Sequence, residues 1–159
     1  MIRVMTQGTF NILHPGHLHY LRESRDLGDE RYVVIGRGSR MSERKDLFMH
    51  EDARRQVVDA LAVVDEAILE SEGSIFDTVA RVDPDIITLG HHQAFDIDEL
   101  EAMLTDHGYS DVRVVRIEAF EPESEEMLVS SSAIKEKLDR VRAKGVEPDT
   151  SGCDDPTDD

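Results

Sequence analysis

Tryptophan is absent from the 159-residue chain, cysteine occurs once, at position 153, and only four of the 18 basic residues are lysine. One cysteine excludes a disulfide framework and a cysteine-based zinc site. No apolar run approaches the roughly 20 residues of a membrane span, and Met1-Ile2-Arg3-Val4 leads straight into a strand-like pattern. Neither a transmembrane segment nor a signal peptide is expected, which predicts a cytoplasmic protein. Positive charge is also scarce: the formal net charge is -17. That balance excludes general binding to nucleic acid or to an anionic membrane, both of which need basic surface.

The acid excess is spread along the body as well as the tail, and Arg outnumbers Lys 14 to 4. Such a surface predicts adaptation to high salt, where screening removes much of the self-repulsion. Any site for a phosphate must then concentrate the few basic groups, so their positions are informative. At this length, and with 39% apolar residues, one compact domain is expected. Apolar content thins after residue 144, so residues 1–144 are predicted to form the domain and residues 145–159 a disordered acidic tail.

Apolar period and punctuation predict alternating strands and helices. Strands are expected over residues 2–6, 31–37, 63–69, 85–90 and 112–117. Helices are expected from Pro15 to a C-terminal cap at Gly28, and over 51–62, 74–82, 97–107 and from Ser130 or Ser131 to 142. Tyr32-Val33-Val34-Ile35 is the kind of apolar run that a strand buried on both faces requires. Repeated β–α alternation makes an α/β fold with a doubly wound parallel sheet.

In such a sheet, ligands collect beyond the carboxyl ends of the strands, where helices begin. The first strand-to-helix connection carries Gly8-Thr9-Phe10-Asn11-Ile12-Leu13-His14-Pro15-Gly16-His17. Gly8 would let the backbone pass close to a phosphate, and the N–H groups of the helix start would complement its charge. His14 and His17, three apart, can share one side of the helix entrance. Gly16 between them is expected to leave room for a triphosphate. Two histidines at this spacing could instead hold a metal or cap the helix, but His19, His50, His91, His92 and His107 form no third-ligand pattern. No residue is assigned as a metal ligand.

This segment resembles the cytidylyltransferase-like nucleotidyltransferases, which share Gly-Thr-Phe-Asp-x-x-His-x-Gly-His. Gly8, Thr9, Phe10, His14, Gly16 and His17 match, and Asn11 stands where Asp is usual. The family has a Lys in the loop before the second helix and an Arg in that helix's first turn, which correspond to Lys45 and Arg54. Its Ile-Ser-Ser/Thr-Thr-x-Ile segment, opening the last helix, is similar to Val129-Ser130-Ser131-Ser132-Ala133-Ile134. Read singly, Lys45 could belong to a solvated charged loop, Arg54 to an exposed helix face, and the serines to an N-cap. Their joint order implies a single-domain Rossmann-like nucleotidyltransferase. His14, His17, Lys45 and Arg54 would then be catalytic, and Ser131 and Ser132 would join the nucleotide cradle.

Within the superfamily the chain is most similar to archaeal FAD synthetases, which transfer AMP from ATP to FMN. The similarity lies in Arg54-Arg55, Val64-Asp65-Glu66-Ala67-Ile68-Leu69, Pro84 through Gly90, Gln93 and Phe95-Asp96. Glycerol-3-phosphate cytidylyltransferases share most of these segments but usually carry a Trp after the fourth strand, which is missing here. His91-His92 stands where FAD synthetases tend to have Tyr-Asp. In this fold that loop lies where the base and ribose are expected, so His92 and Gln93 could contact them. His91 and His92 could equally approach the acceptor, or the loop could merely face water. The resemblance implies ATP and FMN as substrates, a divalent ion, Mg²⁺ by preference, bound through their phosphates, and a homodimer. The competing readings are a CTP-dependent transferase of the same fold, a catalytically silent nucleotide-binding module, and a structural interaction protein.

Overall fold

The computed structural model describes residues 1–41, 47–124 and 126–145. Lys45 lies outside the described residues, as does all of the expected tail beyond Gly145. Five parallel strands form one sheet: β1 (Arg3–Gly8), β2 (Glu30–Ile35), β3 (Glu66–Leu69), β4 (Ile86–Leu89) and β5 (Arg113–Arg116), in the order β3-β2-β1-β4-β5. Five helices alternate with them: α1 (Pro15–Arg25), α2 (Glu51–Asp59), α3 (Ile75–Val82), α4 (Ile97–Asp106) and α5 (Ser131–Ala143). This is the expected doubly wound α/β sheet.

Strand composition explains the layering. All four residues of β4 are buried, as are Val33, Val34 and Ile35 of β2, because helices cover both faces of the sheet. On one face Met5, Val34, Ile68, Ile87 and Leu89 pack with α3 and α4 through Val79, Val82, Leu100 and Leu104. On the other, Val33, Ile35 and Ala67 pack with Tyr20 and Leu21 of α1, Val58 of α2, and Phe10. Each fully buried Leu, Ile or Val contributes about 1.5–3 kcal/mol relative to exposure. The chain steps from β1 to one side through β2 and later to the other through β4. The carboxyl ends of β1 and β4 therefore flank the switch point where such folds place ligands.

Several expected boundaries move, for local reasons. The expected helix cap at Gly28 is corrected: α1 ends at Arg25 with Asp26 as its cap. A Cβ on residue 28 would sit 2.6 Å from Val4 Cγ2 and 2.8 Å from the Ile2 carbonyl, so glycine there serves a close approach to β1. β2 stops at Ile35 rather than 37, because Arg37 turns aside to donate to the Glu70 carbonyl and pair with Glu51. A short 3-10 turn, Gly38–Met41, opens the expected loop. α2 ends at Asp59, whose carboxylate accepts the Ala67 N–H, and β3 accordingly begins at Glu66 rather than 63.

Candidate active site

The connection from β1 to α1 is shaped by its aromatic residue. Phe10 is 2% exposed and takes a left-handed backbone, φ 50°, a conformation that costs a non-glycine residue about 1 kcal/mol or more and is held by its buried ring. A Cβ at Gly8 would come within 2.8 Å of that ring, so Gly8 is required for Phe10 to fold back over β1. Asn11, also buried, accepts the Phe48 N–H through Oδ1 at 2.9 Å and ties the connection to the segment before α2. A side-chain oxygen suffices for this contact, which Asn supplies as well as Asp.

Pro15 occupies the first turn of α1, and His14 stands at the N-cap position without capping through its side chain. Its ring stacks instead on His17, with centroids 3.7 Å apart and planes inclined by 25°, while Phe10 lies 5.0 Å from His17. The Nδ1 atoms of both histidines are buried and lack a hydrogen-bond partner. Burial pushes the His17 imidazole down to about 4, the neighbouring His14 adds to the shift, and the Ile12 backbone opposes it. Burial lowers His14 as well. Two neutral rings therefore stand at a helix entrance with polar valence left over. A buried polar atom without a partner costs about 1–3 kcal/mol, and such atoms in a native fold point to a functional place.

Gly16 does not hold open the space expected of it. A Cβ there would meet the Val129 carbonyl at 2.9 Å and the His14 ring at 3.0 Å, so that space is already filled. The contact brings the segment before α5 against the start of α1. Ser130 caps α5 by accepting the Ala133 N–H at 3.1 Å, and Ser131 and Ser132 lead the helix one residue further on. The His-x-Gly-His and triple-serine segments, over a hundred residues apart in sequence, thus meet as two adjoining helix starts.

Arg54 is placed differently from a phosphate-facing cation. It is 1% exposed and donates from Nη1 to the Thr9 carbonyl at 2.6 Å, from Nη2 to Gly36 at 3.0 Å and from Nε to Met49 at 3.2 Å. The guanidinium thus fixes the backbone of Thr9 from below. His91 and His92 stand exposed, edge to face at 4.9 Å, on the loop after β4. Gln93 has its amide engaged within the protein: Nε2 donates to the Gln7 carbonyl at 2.8 Å, and Oε1 accepts the Gly90 N–H at 3.1 Å.

Three residues that the sequence reading passed over belong to the same frame. Tyr20, pushed up to about 12 by burial and so protonated, donates to the Thr88 carbonyl at 2.8 Å and lies 3.4 Å from that of Gln7. Below it the Thr88 hydroxyl lies 3.1 Å from that of Thr6 and 3.0 Å from that of Ser24, pinning α1 to β1 and β4. Arg116 donates to the carbonyls of Gly90, Gln93 and Phe95. Its signal in the sequence is an arginine ending the apolar run Val114-Val115. Phe48 is more than half exposed beside the phosphate segment, with Lys135 Nζ 4.9 Å from its ring centre. Its signal is a bulky apolar residue in a charged loop. Among the described residues no group of three His, Cys, Asp or Glu is arranged to hold a metal, and no helix is long and apolar enough to cross a membrane.

The cytidylyltransferase-like family matches residues 5–137. The chain is 45% identical over 138 residues to the FAD synthase of Natrialba magadii, covering 87% of this chain and 90% of that one. It is 44% identical to the FAD synthase of Methanoculleus marisnigri, over 96% and 97% of the two chains. Among solved structures, a Thermoplasma volcanium protein described as a lipopolysaccharide core biosynthesis protein superposes with a TM-score of 0.73 at 46% identity, over 76% of this chain and 99% of that one. An Archaeoglobus fulgidus protein of unknown function, 15% identical with a TM-score of 0.62, shares the fold. With the matched region running from β1 into α5 and including both helix starts, the chain belongs to the cytidylyltransferase-like family and is a nucleotidyltransferase.

Proposed function

We propose that this protein is an FMN adenylyltransferase, converting FMN and MgATP into FAD and pyrophosphate. One observation carries the reading. A stacked imidazole pair with unpartnered nitrogens stands at the switch point of a chain 45% identical to an FAD synthase. An oxygen of the FMN phosphate attacks the α-phosphorus of ATP, and the bond from that phosphorus to the bridging β-phosphate oxygen breaks. The attacking group is already an anion, so neither a strong base nor a covalent intermediate is needed; alignment and charge stabilisation are.

His14 and His17 contact the triphosphate and the charge that develops at the transferring phosphorus. The backbone N–H groups of Thr9 and Phe10, the α5 start at Ser131 and Ser132, and Lys45 complete the cradle. Arg54 acts through the Thr9 backbone, and His92 borders the base. A divalent ion would be brought in with ATP and would supply charge neutralisation at the phosphates, with no side chain assigned to hold it. The acid-rich surface supports a salt-adapted, cytoplasmic enzyme, tested by thermal melts in low and molar KCl. The homodimer is tested by light scattering.

The deciding assay offers ATP or CTP with FMN, glycerol 3-phosphate and other phosphorylated acceptors, and follows pyrophosphate and product. FAD from ATP and FMN is expected to dominate. Faster turnover of CTP with glycerol 3-phosphate, or of another acceptor, would replace this reading. Nucleotide binding without any pyrophosphate release would make the chain a silent binding module.

A further inference from the structure

We propose that Arg116 and Gln93 are positioning residues: together they lock the loop after β4 against β1, and so set which nucleobase the crevice accepts. The inference rests on the adenylyl-transfer reading above and deepens it, since it concerns how ATP is chosen.

The sheet splits between β1 and β4. β1 and β4 pair from Val4↔Ile86 to Thr6↔Thr88 and then part. The next carbonyl on β1, that of Gln7, would be left at the opening of the switch point, and the Gln93 side chain takes it: Nε2 donates to Gln7 at 2.8 Å. The other end of the same amide accepts the Gly90 N–H at 3.1 Å. One side chain thus spans the floor of the crevice, joining the strand that ends in the phosphate segment to the loop forming the opposite wall.

Arg116, at the end of β5, holds that loop from its other side. Nη1 donates at 3.0 Å to both the Gly90 and Gln93 carbonyls, and Nη2 donates to the Phe95 carbonyl. Three carbonyls within six residues are therefore fixed by one planar fork, a geometry an ammonium does not reproduce. Between the fixed points, His91 and His92 are exposed. The Gln93 amide is engaged at both ends and so acts by spacing the walls. A purine and a pyrimidine differ in how far they extend from the ribose, and a wall held at fixed distance from the phosphate segment distinguishes them. A loop free to move would accept both.

The test compares wild type with Arg116→Lys, Gln93→Glu and the double variant. Gln93→Glu keeps an acceptor for Gly90 but sets a carboxylate against the Gln7 carbonyl. Affinities for MgATP and MgCTP are measured by calorimetry, alongside melting temperature and the kcat and KM for FMN. Each single variant is expected to weaken MgATP roughly tenfold, as for the loss of a hydrogen bond, and to narrow the ATP-over-CTP ratio by a similar factor. KM for FMN should stay near wild type. The double variant should be scarcely worse than the worse single, because both break the same brace.

An unchanged ATP-over-CTP ratio in both single variants overturns the proposal, whether affinities hold or fall together with the melting temperature. The latter would be a structural role only. Should Arg116→Lys fail to fold, Gln93→Glu decides by the same ratio. If wild type makes FAD while the variants leave the ratio unmoved, this inference alone falls. If wild type binds no adenine nucleotide, the adenylyltransferase reading falls and takes the inference with it.

Discussion

The two ends of the sheet solve opposite problems with opposite charges. Parallel strands leave N–H groups at their amino ends and carbonyls at their carboxyl ends, and buried or half-buried groups of either kind need partners. At the amino end aspartates supply them: Asp29 accepts the Ile2 N–H at 2.7 Å, Asp85 that of Arg3 at 2.8 Å and Asp65 that of Arg31 at 2.8 Å. At the carboxyl end arginines do so: Arg54 takes the carbonyls of Thr9, Gly36 and Met49, Arg37 that of Glu70, and Arg116 three more on the loop after β4. The amino end leaves one buried side-chain atom without a hydrogen bond among the described residues: Arg31 Nε, which lies 2.8 Å from the Asp65 carboxylate as an ion pair. The carboxyl end keeps a left-handed Phe10 and two unpartnered imidazole nitrogens, and that remainder is what a ligand can use. In a chain of net charge -17, these three arginines are engaged with the protein's own backbone.

The strongest way to break this comparison is to remove the remainder. His14→Ala and His17→Ala should each lower turnover on the order of a hundredfold or more, as when one preorganised donor is lost from an active site. ATP affinity should fall much less, because the contact strengthens as charge develops. Near-normal turnover in both variants would defeat the catalytic role. Recovery by excess divalent ion would point instead to a metal site.

Next in size is the buried arginine. Arg54→Ala strands three half-buried carbonyls and removes a buried side chain, and should cost about 3 kcal/mol, or a fall in melting temperature of roughly 10 °C. FAD synthesis should fall as well, since Thr9 loses its support. Arg54→Lys should be intermediate, as one ammonium cannot meet three carbonyls in a plane. A melt within a degree or two of wild type would mean that Arg54 is no brace, and would return it to the phosphate.

These residues also mark where sequence reading stops. The order of strands and helices was legible because it depends on local period and punctuation, and the His-x-Gly-His segment because its parts are contiguous. Partners distant in the chain were not. Arg54 is expected at the phosphate, and nothing nearby in sequence tells that it donates to Thr9, 45 residues away. Gly28 looked like a helix cap because its true neighbours are Ile2 and Val4. Gly16 looked like space, since the Val129 carbonyl that fills it comes from the far end of the chain. Tyr20 gave no signal at all, being one apolar ring among others until Thr88 and Gln7 are beside it.

A pH series sharpens the comparison without removing a side chain. His17 is held near 4 in the folded protein against 6.5 as its ordinary value. The unfolded chain therefore binds the extra proton between those values. The sign follows: stability is fully present above about 6.5 and declines as pH falls towards 4, by up to about 3 kcal/mol. Denaturant melts across this window should slope for wild type and flatten for His17→Asn. Bound ATP should shift the balance the other way, since a triphosphate favours imidazolium, and calorimetry in buffers of different ionisation enthalpy should report proton uptake. Equal slopes for wild type and His17→Asn would show that His17 does not govern the acid limb.

The smallest effect is expected at the amino end, and it is the control on all the others. Asp65 accepts the Arg31 N–H and pairs with Arg31 Nε, both at 2.8 Å, with 45% of its side chain exposed. Asp65→Asn keeps an oxygen for the N–H but discards the charge. The Arg31 side chain is only 14% exposed, with Nε buried, so the pair is half-buried; its loss should cost about 1 kcal/mol and fade only in part in molar KCl. Asp65 lies at the amino ends of β2 and β3, a strand's length from the switch point, so kcat and the KM for ATP and FMN should be those of wild type. Asp65 belongs to the archaeal FAD synthetase-like run Val64 to Leu69, and a resemblance alone does not say whether that run serves fold or chemistry. Stability data and kinetics on the one variant separate the two. A clear loss of turnover with the melt unchanged would mean that the amino end reaches the chemistry after all. The division of the sheet into a closed end and an open one would then be wrong.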